Sequence, residues 1–236
     1  MQNLPFYVYL VFGATVLTTI WLFFKATHFS KPFLVVLLSW ITLQSALAIG
    51  GFYNDPKTMT ARFPLLVLPT LLLLIYRFST KKGRAFIDNL DLATLTLIST
   101  VRMFVELVLF WLLAYKTIPE AMTFHGRNFD IFSGVTAPVI YYFGFVKKTL
   151  SNKVILAWNF VCLALLINVV SNAILSLPDL YQAFGFEQPN TALGFFPFIL
   201  LPCFLVPSVL FSMLASIRQL MKKIKDPCMD LQAKVS

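Results

Sequence analysis

Apolar positions in this chain fall in long unbroken blocks rather than in the alternating or every-third-residue patterns of a water-soluble fold. Seven blocks stand out: Pro5–Phe24, Phe33–Phe52, Phe63–Phe78, Leu92–Tyr115, Phe129–Val146, Val154–Leu175 and Phe195–Ile217. Each reaches or approaches the roughly 20 residues an α-helix needs to cross about 30 Å of hydrocarbon. The third is short and carries Pro64 and Pro69. The connecting segments are brief, and none has room for a soluble domain. The pattern predicts an all-α, polytopic transmembrane bundle of seven helices forming one integral membrane domain over residues 1–236.

The basic residues orient that bundle. With the N-terminus outside, the inner segments hold Lys25, Lys31, Arg77, Lys81, Lys82, Arg84, Lys147, Lys148 and Lys153, and a basic tail (218–236) adds Arg218, Lys222, Lys223, Lys225 and Lys234. The outer segments hold only Lys57, Arg62, Lys116 and Arg127. Cytoplasmic loops collect Lys and Arg, so the bias predicts the N-terminus outside and the C-terminus inside, which an odd number of spans satisfies. The N-terminus has no basic region ahead of its apolar run, which fits a retained first span rather than a cleaved signal.

Composition agrees with a membrane protein. Of 236 residues, 58% are hydrophobic and 12% charged, against about 25% charged in a soluble domain. The net charge of +9 is carried by loops and tail, which points to anionic lipid headgroups as its partner and not to nucleic acid. Cys162 and Cys203 lie inside apolar blocks and Cys228 in the tail, so no disulfide framework or metal-finger spacing is present.

The informative exceptions are polar residues inside the blocks. Arg102 and Glu106 lie four residues apart, one helical turn, so they share a face. A rise of about 1.5 Å per residue puts Arg102 roughly 15 Å from Leu92, near the midplane, where a charge costs on the order of 3 kcal/mol. Arg before Glu is the weaker order for an isolated helix, so partners on other helices are expected. Asn168 and Asn172 are again one turn apart, and Gln44 reaches mid-depth on the second span. Asp130 is placed near the outer rim. Together these groups suggest a cavity in the outer half of the bundle, with Arg127 and His125 at its mouth. The alternative is an ion pair that only fixes packing, with the Asn residues as interhelical hydrogen-bond formers.

Two segments have further character. Lys81 to Asp91 is charged and predicts a surface helix, with Asp88 or Asp91 capping the next span. Ser176 to Gly194 is the longest outer segment, with Tyr181, Phe184, Phe186, Asp179 and Glu187 and no Lys or Arg. Pro138 in the fifth block, and Pro197, Pro202 and Pro207 in the seventh, free backbone carbonyls and kink helices.

Several chemistries are excluded. The seventh block has no lysine for a retinal, and the two histidines, His28 and His125, fall on opposite sides of the membrane, too few and too far apart for a metal site or paired haem ligands. No phosphate-binding loop or dinucleotide fingerprint occurs. No cofactor or metal is expected.

The segments Glu106-Leu-Val-Leu-Phe-Trp111, Pro119-Glu120, Gly126-Arg-Asn-Phe-Asp130, Thr136-Ala-Pro138 and Tyr141-Tyr-Phe-Gly-Phe145 resemble a group of small multispanning membrane proteins of Bacteroidota-type bacteria without an assigned function. The resemblance covers most of the chain, implies a bacterial cytoplasmic membrane and carries over no catalytic residue. His125 departs from the acidic residue expected there, which argues against an essential histidine.

The expected function is binding or transport of a small polar or anionic molecule through an outward-facing cavity, with Arg102, Glu106, Asn168, Asn172, Gln44 and Arg127 as its substrate-binding residues. The alternatives are a membrane sensor or assembly partner whose Arg–Glu pair is structural, and third an intramembrane enzyme.

Overall fold

The computed structural model describes residues 4–177, 183, 186, 188 and 190–225. Those residues form helices and turns, with no strand among them. The helices are α1 (Phe6–Ala26), α2 (Lys31–Ile49), α3 (Pro56–Ser79), α4 (Lys81–Asp88), α5 (Leu92–Ile98), α6 (Val101–Ala114), α7 (Ile131–Tyr141), α8 (Asn152–Ile174) and α9 (Val206–Lys225). Asp179, Tyr181, Phe184 and Glu187 of the expected outer segment, and Cys228 and Lys234 of the tail, lie outside the described residues.

Among the described residues, six helices are long and apolar enough to cross a membrane: Phe6–Ala26, Lys31–Ile49, Ala61–Ser79, Leu92–Ala114, Asn152–Ile174 and Leu201–Lys225. The block expected as a fifth span forms a shorter apolar helix, Ile131–Val146. It starts late because Asn128 and Asp130 are folded inward ahead of it, and both are buried. The last span also begins later than its apolar block. Pro197 and Pro202 withhold N–H donors, and a continuous helix is established only from Leu201.

Packing divides the helices into a core and a periphery. α8 and α9 lie along one another, α9 also packs on α5, α1 covers α5 and α6, and α7 packs against α6 and α5. α2 buries 11% of its span and α3 6%, against 72% for the span ending in α9, so α2 and α3 are outer helices. One half of the core contains Phe12, Val108, Leu112, Phe198 and Leu205. The other contains Leu22, Ile98, Val101, Leu166 and Met213.

Local chemistry sets several helix ends. Asp91 caps α5 by accepting from the Thr94 N–H at 3.0 Å, as its position predicts, and Thr80 accepts from the Gly83 N–H at 3.1 Å to start α4. The expected surface helix over Lys81 to Asp91 is α4. Its end is held to α9: Arg218 donates to both oxygens of Asp88 at 2.8 and 3.0 Å, and Lys222 donates at 3.2 Å. Gln219 Nε2 donates to the Ile87 and Leu90 carbonyls at 2.7 and 2.9 Å.

Three spans depart from regular α-helix, one in mid-course and two at an end. Between α5 and α6 the bonds run three residues back, from Ser99 to Thr96, Thr100 to Leu97, Arg102 to Ser99 and Met103 to Thr100. The clustered hydroxyls of Thr94, Thr96, Ser99 and Thr100 compete with the helical ladder there, and Thr96 Oγ1 donates to the Leu92 carbonyl at 3.1 Å. Wider π-helical turns occur at Tyr142–Val146 and Leu201–Leu205. Pro207 has no N–H for the Cys203 carbonyl four residues earlier. The indole N–H of Trp40, on α2, fills that vacancy at 3.0 Å.

Candidate functional site: a charged cluster beside an apolar cavity

Arg102 leaves α6 immediately after the break and points into the core, 2% exposed. Its partner is Asp130 on the approach to α7, not Glu106 one turn along its own helix. Nε donates to Asp130 Oδ2 at 2.6 Å and Nη2 donates to Oδ1. This two-pronged arrangement is the strong form of the guanidinium–carboxylate pair. Nη2 also donates to the Cys162 carbonyl on α8 at 3.2 Å, and Nη1 meets only the weak acceptor Met213 Sδ on α9 at 3.7 Å. One side chain thereby connects α6, α7, α8 and α9.

Asn128 organises the other carboxylate. Its Nδ2 donates to Glu106 Oε1 and, at 2.9 Å, to the Met122 carbonyl, while its Oδ1 accepts from the Asp130 N–H at 2.9 Å. Two acceptors on one side and an N–H on the other fix which way the amide faces. A single Asn therefore holds Glu106 and the backbone of Asp130 together. The second oxygen of Glu106, Oε2, is buried and has no hydrogen-bond partner among the described residues.

Close helix approach places Asp130. Gly134 lies one turn after Asp130, and a Cβ there would sit 2.4 Å from the Met103 backbone nitrogen. The missing side chain lets α7 come against α6 beside Arg102, which brings Asp130 within reach of the guanidinium.

Arg102, Glu106 and Asp130 line one face of a cavity of about 100 Å³. The rest of its wall is apolar and includes Val105, Leu109, Leu166, Val169 and Leu205. Two backbone irregularities border it: Val101 and Arg102 follow the α5–α6 break, and Leu201, Pro202 and Leu205 belong to the π-helical turn before α9. Non-helical backbone at membrane depth is found where it is buried in protein or lines a cavity.

Of the six residues expected to bind substrate, Arg102 and Glu106 line this cavity and the other four do not. Asn168 Nδ2 donates to the Arg127 carbonyl at 2.7 Å, so these two join each other at an exposed turn. Asn172 is buried on α8, its Nδ2 has no partner among the described residues, and it is not among the cavity's lining residues. Gln44 accepts from the Tyr53 hydroxyl at 3.0 Å, which ties α2 to the following turn. His125 is exposed, stacks on Phe110 with ring centroids 5.4 Å apart and lies tilted against Phe124 at 4.9 Å. Asp130, expected at the rim, is buried against Arg102. Asn128 is not singled out by its spacing, yet it accepts the Asp130 N–H and donates to Glu106 and the Met122 carbonyl.

A family model matches residues 60–221, a stretch that holds the whole charged cluster. The chain belongs to that family, described as a domain of unknown function, DUF8737. The DUF8737 stretch begins within α3, yet α1 ahead of it packs on α5 and α6 and is part of the same core. A comparison with curated proteins found no match, and one with solved structures found none.

Proposed function

We propose that this chain is a seven-span protein of a bacterial cytoplasmic membrane, N-terminus outside and C-terminus inside. In this reading it binds a small molecule with a hydrogen-bond donor on an apolar body, in the cavity beside Arg102 and Glu106. The observation that carries this is Glu106 Oε2, buried beside that cavity with no partner among the described residues. A buried acceptor left unsatisfied costs about 1–3 kcal/mol, which a donating ligand recovers. The orientation rests on the distribution of Lys and Arg. Ile131–Val146 serves as the remaining, short span, shielded by α6 on one side.

The unpartnered Glu106 oxygen selects a donor over the anion that the sequence pattern suggests, because Asp130 already occupies the Arg102 fork that an anion would need. The volume of about 100 Å³ accepts roughly three water-sized groups, so the ligand has few heavy atoms.

Equilibrium dialysis of the purified protein against labelled propylammonium and propionate tests this. Propylammonium binding in preference to propionate, lost in Glu106→Gln, is the expected result. Equal uptake of both, or binding that survives Glu106→Gln, contradicts it.

A second reading is a sensor or assembly partner in which the cluster is a structural latch. It is favoured by the two-pronged Arg102–Asp130 pair, which spans separate helices and is closed to solvent. Its mark is that neither probe binds while disruption of the pair still destabilises the protein.

A further inference from the structure

A larger cavity, of about 330 Å³, lies on the other side of α9 from the charged cluster, between α2 and α3. This volume is within the roughly 300–1,000 Å³ usual for ligand sites, and the cavity lies between the two outermost helices. Its walls are mainly aromatic and aliphatic, with Phe33, Trp40, Leu74, Phe204 and Phe211 among them, and no acidic residue lines it. Ser30 and Arg77 mark one end, where α2 starts and α3 finishes. Trp40 and Cys203 mark the other, joined by the hydrogen bond that fills the vacancy left by Pro207.

We propose that this slot holds one acyl chain of an anionic phospholipid, with Arg77 binding the lipid phosphate. Length fits the chain. Ser30 to Trp40 is ten residues of rise, about 15 Å, which is half of a hydrocarbon core about 30 Å thick. The slot thus runs from a headgroup level to the midplane.

Charge fits the headgroup. The Arg77 guanidinium lies 5.2 Å from the centroid of the Phe86 ring and has no carboxylate partner among the described residues. Ring stacking leaves the planar fork of an arginine able to take a phosphate with two parallel hydrogen bonds. Exposed Lys31 follows Ser30, and exposed Lys81 and Lys82 lie just beyond the end of α3. Such a basic rim draws anionic lipid to the membrane surface. That this is the inner leaflet rests on the orientation proposed above; the headgroup and chain chemistry does not.

Native mass spectrometry of the full chain in detergent, mixed with phosphatidylglycerol and phosphatidylcholine of identical acyl chains, tests the proposal. The wild type retains one phosphatidylglycerol in preference to phosphatidylcholine. Arg77→Gln brings the two to the same level, a loss on the order of tenfold for a charge-assisted contact. Arg77→Lys, which keeps the charge without the fork, gives an intermediate preference and serves if the glutamine variant does not fold. Val36→Trp, which places a ring in the slot, lowers retention of both lipids. Glu106→Gln leaves lipid retention unchanged, so failure of the Arg102 site and failure of the slot are told apart. Equal retention of the two lipids by the wild type overturns the proposal, as does an unchanged preference in folded Arg77→Gln. Displacement of phosphatidylglycerol by inorganic phosphate overturns the role given to the acyl chain.

Discussion

Arg102 on α6 holds Asp130, 28 residues later, by two of its nitrogens, with Nε at 2.6 Å from Oδ2. The pair crosses from one helix to the approach of the next and is sealed from solvent. A buried pair of this kind is weak evidence for net stability, because removing two charges from water offsets much of their attraction. Its clearer physical effect is registry, since α6, α7, α8 and α9 must all be in place for Arg102 to meet Asp130, Cys162 and Met213.

Gly134 is the packing condition for that pair. An added Cβ would collide with the Met103 backbone, so Gly134→Ala must push α7 off α6 and carry Asp130 away from Arg102. Forced overpacking costs about 1–3 kcal/mol. Gly13, in α1, is the opposite case, because a Cβ added there meets nothing within 4 Å. Gly13→Ala gains up to about 1 kcal/mol from helix propensity. Thermal unfolding in detergent should therefore move in opposite directions for the two alanine variants.

Trp40 and Cys203 form a second registry contact, and it depends on a proline. With Pro207 present, Trp40→Phe leaves the Cys203 carbonyl without its indole donor and costs about 1–3 kcal/mol. In a Pro207→Ala background the helix N–H is restored, and the same Trp40→Phe change should cost much less. The measurement is a double-mutant cycle on unfolding free energy; equal costs in both backgrounds would mean that the indole does not replace the missing helical donor.

Asp88 makes the attachment of α4 to α9 acid-sensitive. Partial burial pushes its carboxyl pKa up, but hydrogen bonds from Arg218 and Lys222 and their charges outweigh this and hold it below the usual carboxylate range. A carboxyl with a lowered folded-state pKa adds stability above its unfolded value of about 3.9 and loses it as pH falls through the folded value. Melting temperature should thus fall below about pH 4 in the wild type, and Asp88→Asn should remove that part of the fall. Salt should weaken the effect, because the Lys222 partner is exposed.

The helices were legible in the sequence because each apolar block is continuous, and so was the Asp91 cap, because capping is local. Partner choice was not. Spacing along a helix gives a residue's height, which put Arg102 near the midplane, but it does not say which helix stands opposite. Asp130 therefore read as a rim residue and Gln44 as a cavity residue, whereas Gln44 has a nearby partner in Tyr53. The decisive local signal was Gly134, whose missing side chain permits the α6–α7 approach. A single glycine in an apolar block does not announce that role. The late start of α7 has a similar origin, since Asn128 and Asp130 turn inward only because Glu106 and Arg102 are there to receive them.

Thermal unfolding of Asp130→Asn and Glu106→Gln, each with and without propylammonium, separates the two carboxylates most directly. Asp130→Asn should lower stability by about 3–5 kcal/mol, because Arg102 is left buried without its counter-charge. Glu106→Gln keeps an oxygen for Asn128 and should unfold close to the wild type, but it should lose the stabilisation that propylammonium gives the wild type. The reverse pattern, with Glu106→Gln collapsing and Asp130→Asn unaffected, would contradict both the Arg102–Asp130 pair and the ligand site beside it.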